Sequence, residues 1–358
     1  MPLFQFPESP DGTIPTQFRT EPQQLRQRIS TLGGWRAFVD RTHPRPRRLT
    51  PQQFDRLSDG ERGQYDDARA AFHRSLTLVE HKQLVAAWEQ IDHLTVGSYA
   101  DDGARQGIAL SGGAGYGKTT IAVGYARRYE IAVRQAYPSA FDQENLFVPV
   151  CYSALLPNAG LKANMQHILS FYGEPSRSRE TGPQLLERLT TVTRVCRTQL
   201  LILDQAQNLR EGNKRDDEVA AHLKHILDDA GCTLMLVGID LDARGPLSIP
   251  RAGGGGDRLQ LARRFRLIKI ETLASGSPEW RSLLTTMENR LILVRSRPGD
   301  LSERLSDTLW DLSGGAIGVA FNIVNVAANT AISSGTERIT RTVLTSDAPT
   351  AAHHQGHA

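Results

Sequence analysis

Cysteine is scarce: Cys151, Cys196 and Cys232 are the only three in 358 residues. They are odd in number, far apart and form no CxxC pair. This excludes a disulfide framework and a zinc ribbon, favours a cytoplasmic setting, and leaves all three to be read as buried thiols. Long apolar runs are also missing; none approaches the ~18 residues of a membrane span, so no membrane association is expected. Met1–Pro7 lacks a basic n-region and a long apolar h-region, so no secretory signal is expected. There is no internal repeat. The net charge is only +3, from 42 Lys and Arg against 39 Asp and Glu. With 39% hydrophobic and 23% charged residues, wholesale disorder is excluded, and the length suits two or three structural units.

The balanced total hides a local excess. Between Arg19 and Arg48 there are eight arginines (19, 26, 28, 36, 41, 45, 47 and 48) against Glu21 and Asp40, a local charge of +6. Pro44 and Pro46 impose an extended backbone on the run from Arg41 to Arg48. An extended basic arm can follow a nucleic-acid phosphate backbone. Alternatively it is a solvated linker whose arginines pair with acids on the main domain.

About 100 mostly helical residues precede the first strand. Residues 1–22, rich in Pro, Gln and Thr, read as a loose tail. A short helix lies in 23–40, stopped near Gly33-Gly34 or resumed at Trp35. Thr50-Pro51 and Ser58-Asp59 are helix starts, the second carrying an apolar stripe of Tyr65, Ala68, Phe72 and Leu76. A further helix covers 79–94. From residue 107 short apolar strands (108–110, 146–152, 200–203, 233–237 and 266–270) alternate with helices at 119–137, 161–172, 183–197 and 216–229. That alternation predicts an α/β fold with a five-stranded parallel sheet and helices on both faces. The gap 242–257, with four successive glycines, reads as a flexible loop. Beyond 276 the pattern is helical (278–294, 301–312 and 316–334, then room for one last short helix). The expected organisation is therefore a basic arm and helical extension (1–84), a P-loop core (85–275), a helical lid (276–345) and a disordered tail (346–358) whose His353, His354 and His357 need no metal to explain them.

The strongest signal is Gly112-Gly113-Ala114-Gly115-Tyr116-Gly117-Lys118-Thr119, a full match to G-x-x-x-x-G-K-[ST], followed by Thr120, after a buried strand and opening a helix. Glycines let successive backbone N–H groups converge on a phosphate, and the helix N-terminus adds positive potential. In such a loop Lys118 reaches the β- and γ-phosphates of ATP and the Thr119 hydroxyl ligates Mg²⁺. A second metal-side carboxylate is needed at the end of a neighbouring strand. Leu200-Leu201-Ile202-Leu203-Asp204 supplies Asp204. The next position, where many such ATPases carry Glu, is Gln205; an amide can orient water but cannot take up its proton. Glu211, Asp216 and Asp217 follow, with nothing in the sequence to bring them to the γ-phosphate.

These pieces, with Leu236-Val237-Gly238, Gln260-Leu261-Ala262-Arg263-Arg264-Phe265, Leu312-Ser313-Gly314-Gly315-Ala316-Ile317-Gly318 and Ala327-Ala328-Asn329-Thr330-Ala331-Ile332, resemble the AAA+ superfamily. Within it they resemble the TniB/TnsC-type transposition helper ATPases, over about residues 85–345. The resemblance implies ATP binding, head-to-tail assembly on DNA as a ring or filament, and recruitment or activation of a transposase. It also implies that Arg263 or Arg264 is an arginine finger reaching a neighbour's γ-phosphate; the alternative is a helix-end arginine paired with an acidic surface. Three departures, namely Gln205, the lack of a sensor arginine around Gly314–Gly318, and Asp240 near the first sensor, lower the expected turnover rather than the affinity. The other readings are a nucleotide-gated scaffold acting on a protein without DNA, and a small-molecule kinase or other P-loop transferase.

Overall fold

The computed structural model describes residues 28–42, 44–75, 80–97, 106–142, 147–177, 179–209, 215–243, 245–248 and 256–346. The expected loose tail 1–22, Glu211, three of the four loop glycines and the histidine-bearing C-terminal tail lie outside them.

Five strands form one wholly parallel sheet in the order β2-β3-β4-β1-β5. They are β1 (Gly107–Gly112), β2 (Val150–Ala154), β3 (Leu200–Asp204), β4 (Thr233–Gly238) and β5 (Phe265–Ile270). Strands β3 and β4 are buried along their whole length. This fits their continuous apolar sequence, since helices cover both faces of such a sheet. Strand β2 starts at Val150, not at 146. Pro149 has no N–H for a ladder; its carbonyl instead accepts from Gln199 and Leu200 (2.8 and 3.0 Å), and Val148 N–H bonds the Cys196 carbonyl at 2.9 Å. Of the three thiols Cys151 and Cys232 are buried, whereas Cys196, on the turn before β3, is only partly so.

The apolar interior is divided in two. One core surrounds the sheet. The other, around Trp280, Leu283, Leu309 and Ala328, belongs to the C-terminal helices. In that second unit the expected helix 278–294 stops at Arg290, and Leu291–Val294 run on as buried, non-helical chain. The reason is tertiary. His73 Nε2 accepts the Ile292 N–H (2.9 Å), Arg69 donates to the Ile292 carbonyl (3.3 Å), and Glu337 accepts the Val294 N–H (3.1 Å). The expected helix 301–312 is likewise two pieces, a π-helical turn Asp300–Arg304 and a helix Ser306–Ser313. Glu288, buried beneath the turn, accepts the N–H groups of Asp300, Leu301 and Ser302.

The N-terminal extension serves both units. Helix α1 (Leu32–Asp40) runs through Gly33-Gly34 and seats Trp35 and Val39 in the sheet core. Helix α3 (Asp59–Ser75) packs on the C-terminal unit, and helix α2 (Pro51–Asp55), which starts on a capping box between Thr50 and Gln53, sets Phe54 against Tyr65 of α3. Helix α4 (Lys82–Gly97) returns to the sheet core through Leu84, Trp88 and Ile91. The stripe expected on α3 is not what it buries. Arg69 and His73 are fully buried, Tyr65 and Phe72 partly, Ala68 is exposed, and Leu76 is outside the described residues. Arg69 forms an ion pair with Glu337 (2.5 Å) and stacks over Tyr65 at 4.5 Å, so a charged knot replaces an apolar stripe.

Candidate active site

The loop 112–118 joins β1 to helix α5 (Lys118–Ala136). Its last turn requires glycine. Gly117 sits at φ 88° as the helix N-cap, a conformation other residues adopt at a cost. Lys118 is nearly buried, and its Nζ donates to the carbonyls of Gly112 (2.8 Å) and Gly113 (2.5 Å). The ammonium is thus folded back over the loop. Burial lowers its pKa, against the opposing pull of Asp204 and Asp240.

The end of β3 lies beside this loop. The Asp204 carboxylate is 4% exposed and fully engaged. Oδ2 accepts from Thr119 Oγ1 and Tyr152 OH, each at 2.8 Å, and Oδ1 accepts the Gln205 N–H at 2.7 Å. Tyr152, on the neighbouring strand, is buried and stacks on Trp35 at 6.2 Å. Burial and the adjacent Asp204 push its phenol well above the usual range, so it stays a neutral donor. Gln205 is exposed and held at φ 57°, where its side-chain oxygen accepts from Asn208 Nδ2 at 3.4 Å. A non-glycine residue in that region costs roughly 1–3 kcal/mol, and such residues cluster at functional sites.

The ends of β4 and β5 complete the rim. Ser111 Oγ accepts the Leu241 N–H (3.0 Å) and donates to Asp242 (3.3 Å), which also pairs with Lys269 (2.8 Å). Gln207 Oε1 accepts the Ile239 N–H (3.1 Å), which fixes the turn bearing Asp240 at φ 46°. The C-terminal unit closes over the loop with helix α13 (Ile317–Ser333). Gly318 there lies so close that a Cβ would stand 2.6 Å from the Gly115 carbonyl oxygen. Between α13, the loop and the start of α4 is a cavity of about 160 Å³, lined by His81, Tyr116, Thr120, Phe321 and Asn322 among others. His81 Nδ1 accepts the Leu84 N–H at 3.3 Å, and burial lowers its pKa to about 4. The ring is therefore neutral near pH 7.

The two candidate finger arginines differ. They end helix α10 (Gly256–Arg264), where Arg263 is exposed and Arg264 forms an ion pair with Asp228 (2.6 Å) on helix α9 (Arg215–Asp229).

Residues 69–272 match the family described as Bacterial TniB protein. The chain belongs to the TniB family. No curated protein sequence matches it. Among solved structures this TniB-family chain resembles the Aeropyrum pernix ORC2 protein, described in ADPNP-ADP complexes. The TM-score is 0.50 and the identity 19%, over 86% of this chain and 70% of that one. It also resembles Cdc6p from Pyrobaculum aerophilum (TM-score 0.50, 18% identity, 75% and 67% of the two chains). A third likeness is to the Aeropyrum pernix ORC1 protein in complex with DNA (TM-score 0.50, 17% identity, 75% and 65%). At these identities the likeness is one of fold, that of a P-loop AAA+ ATPase.

The sequence named Lys118, Thr119, Asp204 and Gln205, and the fold brings all four to one place. It did not name Tyr152, Gln207, His81 or Gly318 for this site. Tyr152 gives no local signal, because only the strand order puts β2 beside β3.

Proposed function

We propose that this TniB-family protein binds Mg·ATP in the loop 112–120, hydrolyses it slowly, assembles head to tail on DNA and engages a transposase. The observation that carries the nucleotide reading is the junction of Lys118, Thr119 and Asp204. A lysine ammonium is folded over a glycine loop. A hydroxyl and a buried carboxylate meet 2.8 Å apart at its edge. Hard oxygen donors of this kind suit Mg²⁺. Thr119 and Asp204 would hold the ion, which when bound supplies charge neutralisation at the β- and γ-phosphates. The backbone of Gly112–Gly117 cradles the phosphates, and Lys118 exchanges its two carbonyl partners for phosphate oxygens. The base enters the cavity lined by His81, Thr120 and Phe321. Gln205 orients water without accepting a proton, which supports slow turnover.

Assembly rests on Arg263. Arg264 is held by Asp228 of its own chain, which leaves Arg263 as the better candidate to reach a neighbouring nucleotide. The exposed arginines of residues 41–48 support DNA as a partner, and family membership supports a transposase. No single helix among the described residues is long and apolar enough to cross a membrane. Titration of ATP with and without Mg²⁺ tests the nucleotide reading. Wild type binds and Lys118→Ala does not; equal affinity in both overturns it.

A further inference from the structure

Gln205 leaves a proton without an acceptor. Hydrolysis of ATP takes a proton from the attacking water, and an amide can orient that water but not take the proton up. Ligands of open parallel sheets bind beyond the carboxyl ends of the strands. Among the described residues, Asp204, Asp240, Asp242 and Glu271 follow those ends. The Asp204 carboxylate is engaged by Thr119, Tyr152 and the Gln205 N–H, on the metal side of the site. Asp242 is taken by the Ser111 hydroxyl (3.3 Å) and Lys269 (2.8 Å). Glu271 is exposed and follows β5, an edge strand separated from β3 by β1 and β4. Among the described residues, no hydrogen bond or ion pair occupies the carboxylate of Asp240.

Strand order decides where that carboxylate stands. Strand β4 lies between β3 and β1, with Val237 paired to Asp204 on one side and Gly238 to Ser111 on the other. A phosphate chain running from the loop after β1 toward the carboxylate that ends β3 therefore passes over the end of β4. Asp240 is two residues beyond that end. Its charge is felt on both flanks. Burial lowers the Lys118 pKa, and the charges of Asp204 and Asp240 oppose it; pairing with Asp242 raises the Lys269 pKa, and the charge of Asp240 adds to it.

The turn that carries Asp240 is clamped from both neighbouring strands. Gln207, just after β3, accepts the Ile239 N–H, and Ser111, on β1, accepts the Leu241 N–H. The Asp240 carbonyl closes the turn on the Ala243 N–H (3.0 Å). Gly238 makes room for Gln207, since a Cβ there would stand 2.6 Å from its Oε1. Between these clamps Asp240 is held at φ 46°, a region that Asp and Asn enter more readily than other side chains and that recurs at functional sites.

We propose that Asp240 is the proton acceptor for ATP hydrolysis in this protein, supplying from the end of β4 the carboxylate that position 205 lacks. This role rests on the nucleotide reading given above. Water, oriented by the Gln205 amide, attacks the γ-phosphorus. A new P–O bond forms, the bond from the γ-phosphorus to the β,γ-bridging oxygen breaks, and its electron pair leaves with ADP. The proton of the water passes to Asp240 and from there to solvent. Asp240 reaches the water from the neighbouring strand, through a side chain one methylene shorter than Glu, so turnover is slow but not absent. The sequence alone counts Asp240 among the features that lower turnover, because only the strand order shows what it faces.

The test measures phosphate release and nucleotide affinity of the full chain in two backgrounds, wild type and Gln205→Glu. Asp240→Asn keeps the size of the side chain and its tolerance of positive φ, and removes the acceptor. In the wild-type background it should lower kcat on the order of 10²-fold, the low end of the range for a general base. ATP affinity should be unchanged or higher, since a negative charge beside the phosphates is gone; retained binding also reports that the variant is folded. In the Gln205→Glu background, where a carboxylate already stands at the water, the same substitution should cost almost nothing in kcat, because groups serving one step are not additive. Equal losses in both backgrounds overturn the proposal, since Asp240 would then act on the turn or on Lys118. Unchanged kcat in Asp240→Asn overturns it, as does a wild type that binds ATP and releases no phosphate. Binding that weakens in Mg²⁺ and not in EDTA overturns it too, by making Asp240 a metal ligand. Failure of the nucleotide reading would look different, as no ATP binding by wild type.

Discussion

Asp204 is the residue on which the site turns. Each hydrogen bond to a buried carboxylate contributes more than a neutral one, on the order of 1.5–3 kcal/mol. Thr119 leaves this carboxylate if it turns to a metal ion, whereas Tyr152 and the Gln205 N–H can remain. Tyr152→Phe is therefore expected to weaken ATP binding about tenfold in Mg²⁺ and hardly at all in EDTA, as read by titration under both conditions. An equal loss without the metal would mean that Tyr152 acts on the fold instead. At the next position, Gln205→Glu places a proton acceptor where the amide now sits. Phosphate release should rise on the order of 10²-fold or more, within the range found for general bases. A wild type already fast and indifferent to the change would place catalysis on another group.

At the scale of elements, helix α13 is where the lid touches the loop. Gly318→Val would drive its Cβ to within 2.6 Å of the Gly115 oxygen, and backbone lies on both sides of the clash. The helix must retreat, so nucleotide affinity should drop at least about tenfold while circular dichroism stays unchanged. That figure corresponds to ~1.4 kcal/mol, within the cost of overpacking. Helix α3 grips the lid at a second place, through His73. Burial, and then the charge of Arg69, lower its pKa to about 4. The unfolded chain, with His near 6.5, binds more protons between those values. Stability contributed by neutral His73 is therefore complete above about pH 6.5 and is lost as pH falls toward 4. The loss by pH 5 should be on the order of 2 kcal/mol. Thermal unfolding from pH 7 to 5 should show this in wild type, and more weakly in His73→Asn, which keeps a polar group there.

For the whole molecule, an arginine acting in trans needs a heterologous interface, which closes as a ring or continues as a filament. With ATP and DNA, light scattering should report assembly in wild type and its loss in Arg263→Ala. Arg264→Ala should still assemble, at a stability cost of about 1 kcal/mol or less, because its ion pair with Asp228 is partly exposed. Loss of assembly only in Arg264→Ala would exchange the roles of the two.

The sequence alone determined what depends on local order. The glycine loop, Lys118, Thr119, the apolar strand ending in Asp204, and the capped starts at Thr50 and Ser58 are short patterns whose chemistry is complete within a few residues. The strand–helix alternation is enough to predict a parallel sheet. Only the tertiary structure decided what depends on partners remote in the chain. Strand order set Tyr152 beside Asp204. The pull of His73, Arg69 and Glu337 on Leu291–Val294 ended a helix whose periodicity continues, because buried N–H and C=O groups must find partners and these were the ones within reach. Arg69 and His73 became the buried face of α3 for the same reason. The extension packs on the C-terminal unit through Arg69, whose buried carboxylate partner Glu337 lies 268 positions away.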